Sequence, residues 1–379
     1  MLHQRRLFSQ ADPVLLIIVS ILLVCGLLMI YSSTRAALLN AGDSPFEKVR
    51  LQVVWLLISL VAMFVVIVVD YERIGAMALP IMGAVILLLC VVLVIAKVTP
   101  ESATIRGTVR WIGFGPVKIQ PSELAKVAVI IALGLFLAQR EDEVDTLSLV
   151  SRSLVFSLVP AGLIFLQPDL GTPTVIMFIW LTMLFVAGAR LRHLGAFVLA
   201  AILLFGAAWN VGVIRPHQKA RLTAFLAPED DPTGAGWQLR QSMIAIGSGN
   251  LWGQGLFRGK QTQLNFVPDQ ETDFIFTTVG EELGFVGCMA TIALFAALIW
   301  RTFYIASHAR DSLGRLMAAG IAALFAIHVI VNIGMTIGLM PVKGMPLPFL
   351  SYGGSNLVTN MICVGLLENI YMRRHKIVF

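Results

Sequence analysis

The stretch PVLLIIVSILLVCGLLMIYSS, residues 13–33, contains no charged side chain and is long enough to cross a bilayer as an α-helix. Similar runs recur along the chain without a period-two alternation, which argues against a transmembrane barrel. The ten candidate spans lie near residues 13–33, 51–69, 77–97, 120–138, 153–167, 172–188, 194–213, 275–300, 316–340 and 356–372. With 58% hydrophobic and 13% charged residues among 379, the sequence predicts an all-α polytopic membrane protein with about ten transmembrane helices in a single domain, residues 1–379.

One long polar segment, residues 214–274, separates the seventh and eighth spans. Long loops have little influence on topology, so this loop is left out of the comparison. The remaining short loops then carry more basic residues on one side of the membrane than on the other. An even number of spans also places Arg5–Arg6 and Arg373–Arg374 on the same side. We therefore expect both termini in the cytoplasm and the long loop outside, with the first span retained because it is too long for a typical signal peptide.

The net charge of +6 is carried by basic residues in the loops between apolar runs, which favours membrane lipid or an anionic lipid-linked ligand over nucleic acid. The four cysteines all lie inside apolar runs and lack the spacing of metal ligands, so we expect them to be packing residues. His328, also in an apolar run, is expected to be a hydrogen-bonded interior residue.

The first polar constellation combines Arg106 and Arg110 with Glu123 and Lys126. Glu123 and Lys126 are three residues apart and share a helix face, and each alone would cost roughly 2.5–3.5 kcal/mol at the middle of a membrane. They form either a structural ion pair or part of a polar cavity. Arg106 and Arg110 are either interfacial anchors or ligands of a diphosphate.

Two loops have alternative readings. In the connection Gln167–Thr172, Asp169 either caps the following helix or holds a cation or the Lys126 ammonium. The glycine-rich stretch 247–255 follows a predicted amphipathic helix, residues 237–246. It is only a weak signal for a phosphate cradle, because the strand–loop–helix context is missing.

The stretch PDQETDFIFTTVGEE, residues 268–282, places carboxylates where the long loop enters an apolar helix. Thr272 is positioned to cap a helix starting near Asp273, and Asp273 is either a first-turn dipole partner or a general base at the membrane boundary. Glu281 and Glu282 lie about 12 Å further along a helix, so we expect them to stabilise a cavity or to pair with a cation.

Residues 340–356 contain three prolines and several glycines, which forbid a regular helix. Irregular backbone at membrane depth is tolerated only inside protein or along a cavity, so this segment is either a structural re-entrant loop or a substrate-lining hairpin. Lys343 and Ser351 are its candidate substrate-binding residues.

An ordered set of motifs resembles the SEDS family of bacterial cell-wall proteins (shape, elongation, division and sporulation) over essentially the whole chain. The motifs are Arg110–Ile112, Gln120–Lys126, Gln167–Thr172, Asp231–Gly236, Gln241–Gly249, Thr272–Phe276 with Glu281–Glu282, and Pro346–Phe349 with Ser351–Gly354. Gln263–Leu264 and Phe266 are most similar to the elongation members, whereas Lys343–Gly344 is closer to the division members.

The resemblance implies a SEDS fold similar to the C-type membrane glycosyltransferases and an inverting peptidoglycan glycosyltransferase that polymerises lipid II, with a class B penicillin-binding protein as partner. It implies Asp273 as the catalytic base, and Glu123, Lys126 and Asp169 as polar cavity residues. Arg106, Arg110 and Lys126 are expected to stabilise the leaving diphosphate. A divalent cation, Mg or Mn, is a further option, with Asp169, Glu123 and Glu282 as candidate ligands.

Two other functions fit the same residues. A lipid II flippase or another transporter also needs intramembrane charges, although the sequence has no convincing internal repeat. A scaffold that only binds and activates the penicillin-binding protein would tolerate replacement of the acidic residues.

Overall fold

The computed structural model describes residues 10–98, 110–114, 117–167, 169–212, 216–231 and 234–374. Arg106, a predicted ligand, lies outside the described residues. Helices and strands follow in the order α1 (Pro13–Ala41), α2 (Glu47–Val68), α3 (Tyr71–Ala76), α4 (Ala78–Val98), β1 (Ile112–Phe114), β2 (Val117–Ile119), α5 (Pro121–Ala138), α6 (Leu147–Phe165), α7 (Gly171–Ala187), α8 (Leu191–Val211), α9 (Pro216–Leu226), α10 (Ala235–Ser248), α11 (Lys260–Gln263), α12 (Ile275–Ser307), α13 (Ser312–Thr336) and α14 (Gly354–Met372).

Each of the ten predicted spans coincides with a helix, which confirms the all-α polytopic prediction. Within the described residues, eight of these helices are long and apolar enough to cross a membrane. The other two are α7, which has 17 residues, and α14, which buries polar side chains including Asn360 and Glu368. A polar helix of this kind is stable in a membrane only when other helices surround it.

Several boundaries differ from the prediction. Helix α6 begins at Leu147, six residues before the predicted span, because the Thr146 hydroxyl accepts a hydrogen bond from the Leu149 amide at 3.3 Å and caps the helix. The long loop contains α9, α10 and α11, and α10 confirms the helix predicted at residues 237–246, so the loop is folded over much of its described length. The hairpin β1–β2 was not predicted, since three-residue strands are too short to show a periodic pattern.

Helix α13 lies at the centre of the bundle and packs against α5, α7 and α12. Small residues allow the close approach: a Cβ at Gly320 would lie 2.8 Å from the Met183 sulfur and 3.0 Å from a methyl group of Ile130. Helix α14 packs along α2, whereas α8 is almost entirely exposed at the periphery. The Lys126 ammonium of α5 and the His328 ring of α13 therefore meet inside the protein, whereas Glu368 and Asn369 of α14 bond the start of α1 and the end of α2.

Helix α12 is broken at Gly284, whose φ of 68° and ψ of −163° are not helical. Near the break, the carbonyls of Glu281 and Glu282 accept hydrogen bonds from the amides of Gln254 and Gly255, at 2.9 and 3.1 Å. The amides of Phe285 and Val286 donate to the carbonyls of residues 250 and 251, at 2.8 and 3.1 Å. Residues 249–255, which we call the plug loop, thus pair backbone groups that the interrupted helix would otherwise leave unsatisfied.

Close backbone packing of the plug loop accounts for its glycines, so a bound phosphate is not needed to explain them. A Cβ at Gly249 would lie 2.0 Å from the carbonyl oxygen of Gly280, so only glycine permits this contact. The amides of Gly253, Gln254 and Gly255 all donate to protein carbonyls. A phosphate cradle is built from free amides, so the weak prediction of such a cradle is wrong.

Gly253→Ala is expected to destabilise the protein more than Gly255→Ala. Both glycines have left-handed backbones, with φ of 79° and 96°. Both substitutions therefore place an alanine in a left-handed conformation, which costs about 1–2 kcal/mol. Only at Gly253 would the new Cβ also meet backbone, 2.1 Å from the Glu282 carbonyl oxygen, whereas at Gly255 the nearest atom is a side-chain carbon at 3.5 Å. Thermal unfolding of both variants in detergent measures the difference, and equal losses of stability would contradict the described packing.

Candidate functional site

Asp273 lies at the junction of the long loop and α12, as predicted, and is half-buried. The turn that carries it is closed by three amides, those of residues 272–274, which all donate to the Asp269 carbonyl at 3.1–3.2 Å. Helix α12 begins only at Ile275, and the Thr272 hydroxyl donates to the Asp269 carbonyl instead of accepting from the helix. The prediction that Thr272 caps this helix is therefore wrong.

Two side chains bind the backbone on either side of the Asp273 side chain. The Asn332 amide group of α13 donates to the Asp273 carbonyl at 2.8 Å and to the Met345 carbonyl at 2.7 Å. The buried Ser351 hydroxyl donates to the Thr272 carbonyl at 2.5 Å and accepts from the Leu347 amide at 2.8 Å. Ser351, a predicted substrate ligand, thus has its hydroxyl engaged within the protein.

The segment between α13 and α14, residues 337–353, packs against this turn and has no regular structure, as its prolines and glycines predict. Gly344 has a φ of +62°, and a Cβ there would lie 3.1 Å from Asp273 Oδ2. The carboxylate of Asp273 is therefore directly beside the backbone of Gly344.

Lys343, next to Gly344 in the chain, is half-buried. Its Nζ lies 3.5 Å from the Thr174 hydroxyl in the first turn of α7, which is long for a hydrogen bond. Burial lowers the pKa of this ammonium below the ordinary lysine value. Among the described residues no carboxylate lies within 4.0 Å of it, so the site holds a cation without an ion-pair partner.

Asp169 lies at the start of α7, next to the Lys343–Met345 backbone. Its carboxylate accepts from the amides of Gly171 and Thr172 at 2.9 and 3.3 Å and from the Thr172 hydroxyl at 2.9 Å, which confirms the capping alternative. A Cβ at Gly171 would lie 3.3 Å from the Lys343 carbonyl oxygen, so α7 and this segment are in close contact.

Glu123 and Lys126 form a buried ion pair, with oxygen–nitrogen distances of 2.8 and 2.9 Å. Lys126 Nζ also lies 3.2 Å from His328 Nε2 on α13, which confirms His328 as a hydrogen-bonded interior residue. An ammonium can only donate, so this imidazole nitrogen accepts and the ring is neutral in this arrangement. His328 is one helical turn from Asn332, so α13 links the ion pair to the turn that carries Asp273.

Glu281 and Glu282 hold the long loop. Glu281 accepts from the amides of Gln261 and Thr262 at 2.7 and 2.9 Å, and from the Thr262 hydroxyl at 2.7 Å. Glu282 accepts from the Ser32 hydroxyl at 2.5 Å and the Phe257 amide at 3.1 Å. Both carboxylates therefore anchor the segment that leads to Asp273.

The candidate metal ligands have separate partners. Glu123 bonds Lys126, Asp169 caps α7 and Glu282 bonds Ser32. Within the part of the chain that the structure describes, no three His, Cys, Asp or Glu side chains are placed to share an ion. These residues do not fit a common metal site, so no step of the mechanism is derived through one.

Arg110 lies half-buried just before β1. The hairpin is fastened to the start of α14, because the Ser355 hydroxyl accepts from the Gln120 amide at 3.0 Å and donates to the Lys118 carbonyl at 3.1 Å. Asn332 and Thr174 were not predicted as site residues, although a polar asparagine inside an apolar span is itself a signal for a specific hydrogen-bonding role.

The family model for the cell cycle proteins FtsW, RodA and SpoVE matches residues 13–376, and the chain belongs to this family. The stage V sporulation protein E of Bacillus subtilis (strain 168) is 37% identical over 368 residues, which cover 96% of this chain and 97% of that protein. The peptidoglycan glycosyltransferase RodA of Treponema pallidum (strain Nichols) is 34% identical, with 97% of this chain and 98% of that protein covered.

The fold is similar to that of a solved chain from work on how a peptidoglycan synthase complex coordinates polymerization and crosslinking. The TM-score is 0.78 at 30% sequence identity, with 97% of this chain and 99% of the other covered. The match supports the SEDS fold predicted from the motifs, and the relatives are compatible with a resemblance to the elongation members.

Proposed function

We propose that this protein is a peptidoglycan glycosyltransferase that polymerises lipid II into β-1,4-linked glycan at the outer face of the bacterial cytoplasmic membrane during cell elongation. The observation that carries the proposal is the contact of the Asp273 carboxylate with Gly344, the neighbour of the half-buried cation Lys343. A base and a positive charge that has no carboxylate partner among the described residues, both on one loop junction, suit a reaction that removes a proton and expels an anion. Membership of the family and the names of the relatives support the same activity.

In the proposed reaction the acceptor 4-hydroxyl attacks the anomeric carbon of the donor. Asp273 takes the hydroxyl proton as the new C–O bond forms, and the bond from the anomeric carbon to the diphosphate oxygen breaks with its electron pair leaving on the diphosphate. One displacement at an α-linked donor gives a β-linked product. The atoms and charges balance, since the proton ends on the Asp273 carboxylate and the negative charge on the lipid diphosphate.

Positive charge near the leaving oxygen favours this step. Lys343 is the described cation best suited to it, because it has no carboxylate partner and Thr174 adds a hydroxyl beside it. We assign Lys126 a supporting role instead, since Glu123 and His328 already hold its ammonium. Arg110 and Arg106 complete the proposed diphosphate-binding set.

Both termini are proposed to lie in the cytoplasm, with the site outside. The short loops assigned to the inner side form ion pairs with one another, Glu72 with Arg310, Asp145 with Arg190 and Glu141 with Arg315. Glu141 and Asp145 of the acidic run 141–145 are thus paired, although exposed pairs of this kind contribute little to stability. The site residues lie at the opposite ends of the helices that these loops connect.

The partner is proposed to be a class B penicillin-binding protein that crosslinks the new glycan. This proposal rests on the similarity to a chain studied as part of a peptidoglycan synthase complex.

Purified protein together with such a transpeptidase, supplied with lipid II in detergent, tests the proposed activity. We expect glycan polymer from the wild type and none from Asp273→Ala. Translocation of labelled lipid II in liposomes without polymer would instead support the transporter, and full activity of Asp273→Ala would support the scaffold.

Lys343 gives a prediction for pH dependence. Deprotonation removes its charge as pH rises through the depressed pKa, so wild-type kcat/KM should fall on the alkaline side below the ordinary lysine value of 10.5. Lys343→Met should lower kcat/KM roughly 10–100-fold, the loss expected for a hydrogen bond to a charged group worth about 1.5–3 kcal/mol. Lys343→Arg stays charged, so its kcat/KM should not decline at alkaline pH. If Lys343→Arg shows the same alkaline decline as the wild type, Lys343 does not supply the positive charge.

A further inference from the structure

Asn332 is a completely buried polar residue four residues before the C-terminal end of the central helix α13. Burying an amide without hydrogen bonds costs several kcal/mol in an apolar medium, so its retention requires specific partners. Neither of its partners belongs to its own helix, as they are the carbonyls of Asp273, 59 residues away, and Met345, 13 residues away.

The orientation of the Asn332 side chain follows from these partners. Both are carbonyl oxygens, which only accept, so the NH₂ group must face them and uses one hydrogen for each. In the orientation described, the Asn332 side-chain oxygen has no hydrogen-bond partner among the described residues. If the amide group were flipped, this oxygen would instead face two carbonyl oxygens, which are also acceptors. The amide group is therefore a two-hydrogen clamp between two loops.

The clamp acts where the Asp273 turn and the segment 337–353 are in close contact. Asp273 Oδ2 lies so close to Gly344 that a Cβ there would be 3.1 Å away, and Met345 is the next residue. Moving either carbonyl away from Asn332 would therefore change the position of the carboxylate relative to the Lys343–Met345 segment. Ser351 fixes the preceding residue, Thr272, from a different part of the loop, so it does not duplicate the clamp.

We propose that Asn332 is a positioning residue, which sets the placement of the Asp273 carboxylate against the Lys343–Met345 segment without touching the substrate. The inference rests on the proposed function for its catalytic consequence, whereas the clamp itself is a property of the fold. Because a displacement of about 1 Å can cost about 10²-fold in rate, loss of the clamp should lower kcat by about that factor and leave KM near its wild-type value.

The variants Asn332→Leu and Asn332→Asp test the clamp, with Thr336→Val as the matched control. Thr336 is buried one turn further along α13, and its hydroxyl bonds only its own helix, at the Ile333 carbonyl. Asn332→Leu keeps a similar volume but leaves both carbonyls unpaired. We expect a large loss of kcat in Asn332→Leu, with KM close to wild type, and a much smaller change in Thr336→Val.

Asn332→Asp provides the readout that a general packing role would not produce. A protonated carboxyl can donate one hydrogen bond to the two carbonyls, whereas an ionised one only repels them. Its activity relative to wild type should therefore rise as the pH is lowered. A constant ratio from acidic pH up to pH values at which even a buried carboxyl is ionised would overturn the proposal, even if Asn332→Leu fails to fold.

Amide hydrogen exchange separates this proposal from the proposed function, because it needs no substrate. Residues 272–274 and 344–347 should exchange faster together in Asn332→Asp at neutral pH than in the wild type or in Thr336→Val. Unchanged exchange in Asn332→Asp overturns the clamp whether or not polymer is made. Faster exchange in Asn332→Asp, together with a wild type that makes no polymer, supports the clamp and refutes the proposed function.

Discussion

Asp273→Asn is expected to lower the rate of lipid II polymerisation by about 10²–10⁴-fold, the usual contribution of a general base. Asparagine has nearly the same shape, so the contact with Gly344 and the hydrogen bonds to the backbone of residues 272–274 should survive. The amide cannot take up the acceptor proton, so the loss should appear in kcat while lipid II binding is largely kept. Polymer yield against time, with single-turnover kinetics, measures the loss.

Glu271→Gln is the matched control, because it makes the same acid-to-amide change two residues away. The fold uses the Glu271 backbone carbonyl, which accepts from the Tyr352 amide at 2.8 Å, and this bond is unaffected by the substitution. We expect activity close to wild type. Similar losses in both variants would show that the site needs general negative charge at the loop and not a base at Asp273.

Glu123→Ala is expected to destabilise the protein by about 3–5 kcal/mol, because it leaves the buried Lys126 ammonium without its counter-ion. His328 offers only a neutral acceptor to the remaining charge. The double variant Glu123→Leu/Lys126→Met should recover most of the loss, since an apolar pair of similar size avoids the desolvation of two charges. Reversible unfolding or thermal inactivation in one detergent gives the comparison.

Asp145→Ala is the control for this experiment. Asp145 pairs with Arg190, but both side chains are nearly half-exposed, so the loss should be at most about 1 kcal/mol. Equal destabilisation by Glu123→Ala and Asp145→Ala would mean that the Lys126 site is hydrated, and the buried pair would then have no special role in stability.

Local patterns in the sequence predicted the helices, the long loop and the position of Asp273 at a loop–helix junction. They also predicted that Glu123 and Lys126 share a helix face, because a spacing of three residues determines this. These features depend on composition and period along one segment, so they are visible without any knowledge of what packs against that segment.

The partners that the sequence analysis missed are far apart in the chain. Glu282 bonds Ser32 across 250 residues, and Asn332 bonds Asp273 across 59. Glu281 and Glu282 were expected to serve a cavity or a cation, whereas they accept hydrogen bonds from loop amides and hydroxyls 19–25 residues earlier or from α1. A periodic pattern in the sequence does not show which of several buried acceptors a donor will bind. The backbone hydrogen bonds between the plug loop and residues 281–286 could not be predicted for the same reason.

The break in α12 divides it into two parts with different neighbours. Residues 275–282 are all buried in protein, whereas residues 285–307 expose many apolar side chains and, at 1.5 Å per residue, extend about 35 Å. The second part alone is long enough to cross a hydrocarbon core of about 30 Å. We therefore expect hydrophobic mismatch with a thicker or thinner bilayer to act by tilting this lipid-facing part. We expect the first part, which is fastened through residues 249–263, to keep Asp273 in register with its neighbours when the membrane around the protein changes.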